Sequence, residues 1–331
     1  MADENNPPHD PTKFKDFHIH DFKYKEVHGT PIFLSILVPK VLLTEGADLT
    51  ETRPLITTFH GGFLILGSRL YSEWIPDWLL ELSVSQRALL VLPDYRLLPE
   101  STGMDILSDI DSFWLWLSNN LELSLTALYP SLNLRPDLDR ILLTGDSAGG
   151  FCVMQSLLRH PEFNIKAAIA AYPMVDFHHR YWSEAYEKLI FGAATVPTIL
   201  IDNHLKSLPP NAVFSGDKDP ATGAGLARMP VALSIVQNGK FIDFLGQEPE
   251  LYPIDLLPNS KLPPFIWVFH GRQDSAVPFE QSEYFVKELE KHVPDTVVRF
   301  DAPDGEHGFD GDFKLADPWI QEGMSEILSH W

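Results

Sequence analysis

The chain has 331 residues, 44% of them apolar and 21% charged, close to the balance of an ordinary globular protein and far from that of a disordered one. Its 46 acidic residues against 25 basic ones leave a net charge of −21, which repels phosphate backbones and anionic membrane surfaces, so no nucleic acid is expected as a partner. No apolar run approaches the roughly 20 residues of a membrane helix, and a single cysteine, Cys152, permits no internal disulfide.

The chain opens on a polar, acidic stretch without the basic and apolar regions of a leader, read as a flexible tail over residues 1–12 of a cytoplasmic protein. Phe14 to Lys25 and Ile32 to Val38 flank His28-Gly29-Thr30-Pro31 and predict an opening antiparallel hairpin. His18 and His20 share a strand face there, but nothing nearby completes a metal site. Strands are expected at Leu55 to Phe59, Ala88 to Leu92, Arg140 to Thr144, Ala167 to Ala171, Phe265 to Phe269 and Val297 to Phe300. Helical spacing falls between them at Trp74 to Ser85, Ile106 to Leu117, Phe151 to Leu158, Gln281 to Glu290 and Trp319 to Leu328. This alternation predicts a mostly parallel sheet with helices on both faces. Residues 178–259 break the rhythm and are too long for an ordinary connection, so they read as a cap or lid inserted into a core of 13–177 and 260–331.

Chemistry gathers where strands end. Gly145-Asp146-Ser147-Ala148-Gly149-Gly150 joins a strand to a helix, the context that holds a serine hydroxyl on a sharp turn beside a base. Upstream, His60-Gly61-Gly62-Phe63 follows a strand and offers the N–H groups of Gly61, Gly62 and Phe63, with that of Ala148, to a developing oxyanion. Downstream, Asp274 closes one strand-end loop and His307 another. Ser147, Asp274, His307 is thus the order in which a nucleophile, an orienting acid and a base occur on open α/β sheets. Asp301, Asp304 and Asp310 also lie near His307 and are the other candidates to orient it. Cys152 falls inside the helix after the elbow and reads as a buried structural thiol.

The His60-Gly61-Gly62 run, Asp94-Tyr95-Arg96-Leu97-Leu98-Pro99-Glu100, the Gly-Asp-Ser-Ala-Gly-Gly elbow and His307-Gly308-Phe309 together resemble the hormone-sensitive-lipase-like carboxylesterases of the α/β-hydrolase fold. The resemblance spans roughly residues 50 to 330. It implies a cofactor-free and metal-free serine hydrolase acting on an ester, lactone or thioester of an apolar small molecule, with secondary-metabolite tailoring as one setting. It also implies that Asp94 to Glu100 braces the loop beneath the site, and that Asp146 and Phe63 border the substrate. Phe63 stands where the family usually has a third glycine. Two other readings stay open: a non-catalytic small-molecule receptor on the same fold, and a cyclase or acyltransferase.

Overall fold

The computed structural model describes residues 11–44, 51–216, 226–258 and 260–331, so the expected tail lies almost wholly outside the described residues. Eight strands form one sheet: β1 Phe17–Val27, β2 Thr30–Pro39, β3 Arg53–Phe59, β4 Leu89–Pro93, β5 Pro136–Asp146, β6 Ile165–Ala171, β7 Phe265–Phe269 and β8 Val297–Asp301. Their spatial order is β1-β2-β4-β3-β5-β6-β7-β8. β1 pairs antiparallel with β2, and β2 with β4; every other pairing is parallel. The hairpin turns at His28 and Gly29, both at positive φ.

Alternation along the strands divides the interior into two cores. Ile141, Leu143, Ile266 and Val268 point to one face, where α2 (Gly103–Leu128), α3 (Ala148–Arg159) and α7 (Phe279–His292) cover them. Leu142, Phe265, Trp267 and Phe269 point to the other, under α1 (Asp77–Ser85) and α8 (Pro318–His330). Each large side chain fully buried in this way contributes roughly 1.5–3 kcal/mol. Membrane-crossing length and apolarity occur together in no helix among the described residues.

Two of the helices that depart from expectation at their ends show the cause. α1 begins at Asp77, three residues after Trp74, because Pro76 occupies the cap position and Trp74 remains in the preceding turn. α2 runs 26 residues, more than twice the expected length. Thr102 and Asp105 exchange hydrogen bonds in a capping box at its start, and Leu121 and Leu125 continue the buried stripe beyond Leu117. Between β6 and β7 the chain leaves the sheet for α4 (Ile199–Ser207), α5 (Met229–Gln237) and α6 (Phe241–Leu245), the last two packed through Ile235, Val236 and Phe241 onto the α3 side of the core. Lys188 is buried in this segment and donates from Nζ to the carbonyls of Tyr181, Glu184 and Val236 at 2.6–2.7 Å. Burial lowers its pKa to about 8.

Candidate active site

The elbow is strained at its apex. Ser147 has φ 55° and ψ −117°, a conformation that costs on the order of 1–3 kcal/mol and persists only where the surroundings impose it. Here they do. The Ser147 N–H donates to the Ala171 carbonyl (2.8 Å) while its own carbonyl accepts from Gly150 (3.0 Å) and Met174 (2.9 Å). α3 can start this close to β3 only because Gly149 lacks a side chain, since a Cβ there would overlap the Phe59 carbonyl. The result is a buried serine at the carboxyl end of β5, where open α/β sheets assemble their sites.

His307 and Asp274 arrive on the loops after β8 and β7. His307 Nδ1 donates to Asp274 Oδ2 (2.7 Å), and Asp274 Oδ1 accepts the N–H groups of Ala276 and Val277 (both 2.8 Å). His270, wholly buried, adds its Nε2 to Asp274 Oδ2 at 3.1 Å and pairs its Nδ1 with Ser282 Oγ (2.7 Å). Glu306 ties the two loops together by accepting the N–H groups of Ser275 (2.6 Å) and His307 (2.7 Å) through one oxygen. Burial opposes charge on both partners, but attraction outweighs it: His307 and His270 hold Asp274 well below the usual carboxylate range, and Asp274, with Asp146 and Glu306, raises His307. The other acids near His307 in sequence are engaged elsewhere, Asp301 with Arg299 and Trp267, Asp304 with Gln273, and Asp310 with Tyr172 and Trp78.

Ser147 and His307 line one cavity of about 230 Å³. No direct hydrogen bond joins them among the described residues. The loop after β3 forms one wall. Gly62 (φ 104°) turns it so that a Cβ would strike the Leu66 carbonyl, and Phe63 follows at φ 56°. Among the described residues no acceptor takes the N–H of Gly62, Phe63 or Ala148. Of the loop's three expected donors, Gly62 and Phe63 border the cavity, while Gly61 lies against Asp146, whose Oδ2 a Cβ there would strike. The Phe63 side chain is 4% exposed, borders the cavity and packs into the core at once.

Asp146 also lines the cavity, as expected of it, but in company the sequence did not disclose. Asp310 stands on the same wall, accepting from Tyr172 Oη (2.8 Å) and Trp78 Nε1 (3.1 Å). The Tyr172 ring lies 4.5 Å from that of His307. Burial pushes the Asp146 carboxyl up to about 7, with Asp310 adding to the rise and His307 and the Gly61 N–H opposing it. Burial raises Asp310 as well, against its two hydrogen bonds. Glu73, Trp74, Phe191, Leu226 and Met229 complete the lining. None of these carried a motif. Phe191, Leu226 and Met229 lie inside the inserted segment, and Glu73 and Trp74 in the stretch that leads from β3 to α1.

Arg96 braces its loop against Asp109 (2.9 Å) and Asp105 (2.7 Å) rather than facing the cavity. Cys152 is a free, fully buried thiol in α3, and burial raises it well above its ordinary value. His20 bonds Tyr129 Oη (2.6 Å), and among the described residues no group of three or more His, Cys, Asp or Glu side chains is placed to hold a metal ion.

Residues 56–229, more than half the chain, match the family Abhydrolase_3, described as alpha/beta hydrolase fold. The chain belongs to that family. Across 97% of its length this hydrolase is 36% identical to a probable carboxylesterase M8 of a Phoma species, covering 98% of that protein. Over 57% of its length it is 34% identical to a probable carboxylesterase of Cochliobolus lunatus, covering 86% of it. Among solved structures, an esterase of Pyrobaculum calidifontis shares the fold, with a TM-score of 0.55 at 21% identity over 98% of this chain and 85% of that one. The protein is a carboxylesterase-like α/β hydrolase.

Proposed function

We propose that this hydrolase cleaves carboxylic esters of small, largely apolar molecules through an acyl-enzyme on Ser147. One observation carries the reading: a strained serine and a histidine border one cavity, and that histidine has Nδ1 fixed by a buried carboxylate, leaving Nε2 for the serine proton. His307 takes that proton as Ser147 Oγ attacks the ester carbonyl, then returns it to the departing alcohol. Asp274 keeps the imidazole in the Nδ1–H tautomer and stabilises the imidazolium. The N–H groups of Gly62, Phe63 and Ala148 take the oxyanion, each such donor being worth on the order of 100-fold in turnover. A water activated by His307 then releases the acid.

The inserted segment acts as the lid in this reading, because it supplies Phe191, Leu226 and Met229 to the cavity wall and so shapes what enters. The aromatic and aliphatic lining suits an apolar ester, lactone or thioester, and a fungal secondary metabolite of that kind fits it. The test combines a fluorophosphonate label with p-nitrophenyl esters of graded chain length and a panel of lactones. The label should attach at Ser147, and Ser147→Ala should lose label and turnover together while keeping its melting temperature. An unlabelled, inactive wild-type protein that still bound an apolar ligand would replace this reading with that of a receptor.

A further inference from the structure

We propose that the cavity selects its substrate by charge: it takes esters whose acyl group is neutral or cationic and rejects those that carry a second, free carboxylate. The inference rests on the hydrolase reading for its substrates but on the cavity wall for its sign. Asp146 and Asp310 both line the cavity, and among its described lining residues His307 is the only group that can be positive. The donors around Asp146 and Asp310 are neutral ones, an N–H from Gly61, a phenol and an indole, so hydrogen bonding shapes these carboxylates without neutralising them.

The nearby buried arginines do not alter this sign. Arg228 gives its guanidinium to Glu100 and to the carbonyls of Ile65 and Leu98, and Arg69 gives its own to Asp94, Asp21 and Ser35. Crowding of negative charge is already felt inside the cavity, where burial and Asp310 push Asp146 up to about 7. A further anion there must either protonate a neighbour or pay like-charge repulsion in a poorly screened space. An ammonium group meets the opposite situation, with carboxylates at hand and the rings of Trp74, Tyr172 and Phe191 to lie against.

The test uses three p-nitrophenyl esters sharing one three-methylene acyl spacer that ends in tert-butyl, trimethylammonium or carboxylate. Measurement at ~0.5 M salt confines the field of the acidic surface to within about 4 Å, so the ratio reports the cavity. The carboxylate ester should show kcat/KM on the order of 100-fold below the tert-butyl ester, and the trimethylammonium ester, the tert-butyl ester's cationic isostere, should equal or exceed it. Asp146→Asn and Asp310→Asn should each raise the carboxylate to tert-butyl ratio by about 10-fold; the second variant stands clear of the elbow and serves if the first disturbs it. In parallel, calorimetry on Ser147→Ala compares benzyltrimethylammonium with phenylacetate, and the cation should bind more tightly. Hydrolysis of all three esters at similar rates, or equal binding of the two ions, overturns the charge rule and leaves the hydrolase reading intact. Failure to hydrolyse any ester, with the cation still preferred, removes the hydrolase reading and keeps the rule.

Discussion

Two acid-rich regions lie close together in this protein and use their carboxylates in opposite ways. At the bracing loop and the start of α2 beneath it, these acids meet guanidiniums: Asp94 meets Arg69, Asp109 meets Arg96 with Lys25 added at 2.7 Å, and Glu100 meets Arg228 at 2.6 Å. At the cavity, the donors that Asp146 and Asp310 meet among the described residues are neutral, and burial raises both. A buried carboxylate with a guanidinium is a joint whose loss leaves a bare charge, whereas one held by neutral donors keeps an unfavourable charge facing a space that substrate enters. Burial alone does not tell such groups apart. The partner does.

The largest effect should come from a third kind of carboxylate, which has a histidine for partner. Asp274→Asn should cut ester turnover by about four orders of magnitude with little loss of fold, since the imidazole is then held in the wrong tautomer. Steady-state kinetics beside the Asp304→Asn variant checks this, and a larger loss in Asp304→Asn would transfer the role of orienting acid. The bracing loop is broken next. Arg69→Met strips the guanidinium from Asp94 and should cost about 3–5 kcal/mol in urea unfolding, with part recovered by adding Asp94→Asn, because the bare charge and not the missing bond dominates the loss. A cost no greater than that of an exposed ion pair would erase the distinction between the two regions.

Phe63→Gly probes the apolar wall between them. Removal of a buried ring costs about 3–5 kcal/mol, and relief of the positive φ returns about 1 kcal/mol of it. The net loss should therefore stay near 2–4 kcal/mol, while bulky acyl groups gain roughly 10-fold over acetyl in kcat/KM. Unchanged selectivity with the full loss of stability would leave Phe63 as packing alone.

The smallest effect depends on pH. Asp146 has a folded pKa near 7 against an ordinary 3.8, so between those values the folded protein binds its proton more tightly than the unfolded chain does. The contribution of this group to stability is therefore present at low pH and lost as pH rises through about 7. Asp146→Asn keeps an acceptor for the Gly61 N–H but has no charge to form. Its stability relative to wild type should rise from pH 5 to pH 8 by about 1–2 kcal/mol, a figure reduced because the cavity opens to solvent. A flat difference in melting temperature across that range would show that Asp146 is not strained by its surroundings.

Much of this protein was legible in the linear chain, because local periodicity and strand-end punctuation suffice for it. β7 occupies Phe265–Phe269 as its unbroken apolar run predicts, and the elbow follows β5 because its glycines permit nothing bulkier. Asp274 and His307 could be named from chain order, since each stands just past a strand whose pattern is plain, and their 2.7 Å contact joins adjacent strand ends. What tertiary structure alone decided is which polar groups share a space. Tyr172 and Asp310 are 138 residues apart, Trp78 and Asp310 232 apart, and no spacing rule links them. The setting of Gly61 against Asp146, the burial of Lys188 among three carbonyls and, among the described residues, the neutral donors of Asp146 are likewise outcomes of packing. Secondary structure follows from near neighbours in the chain, but the charge of a cavity is the sum of whatever distant segments the fold brings to its wall.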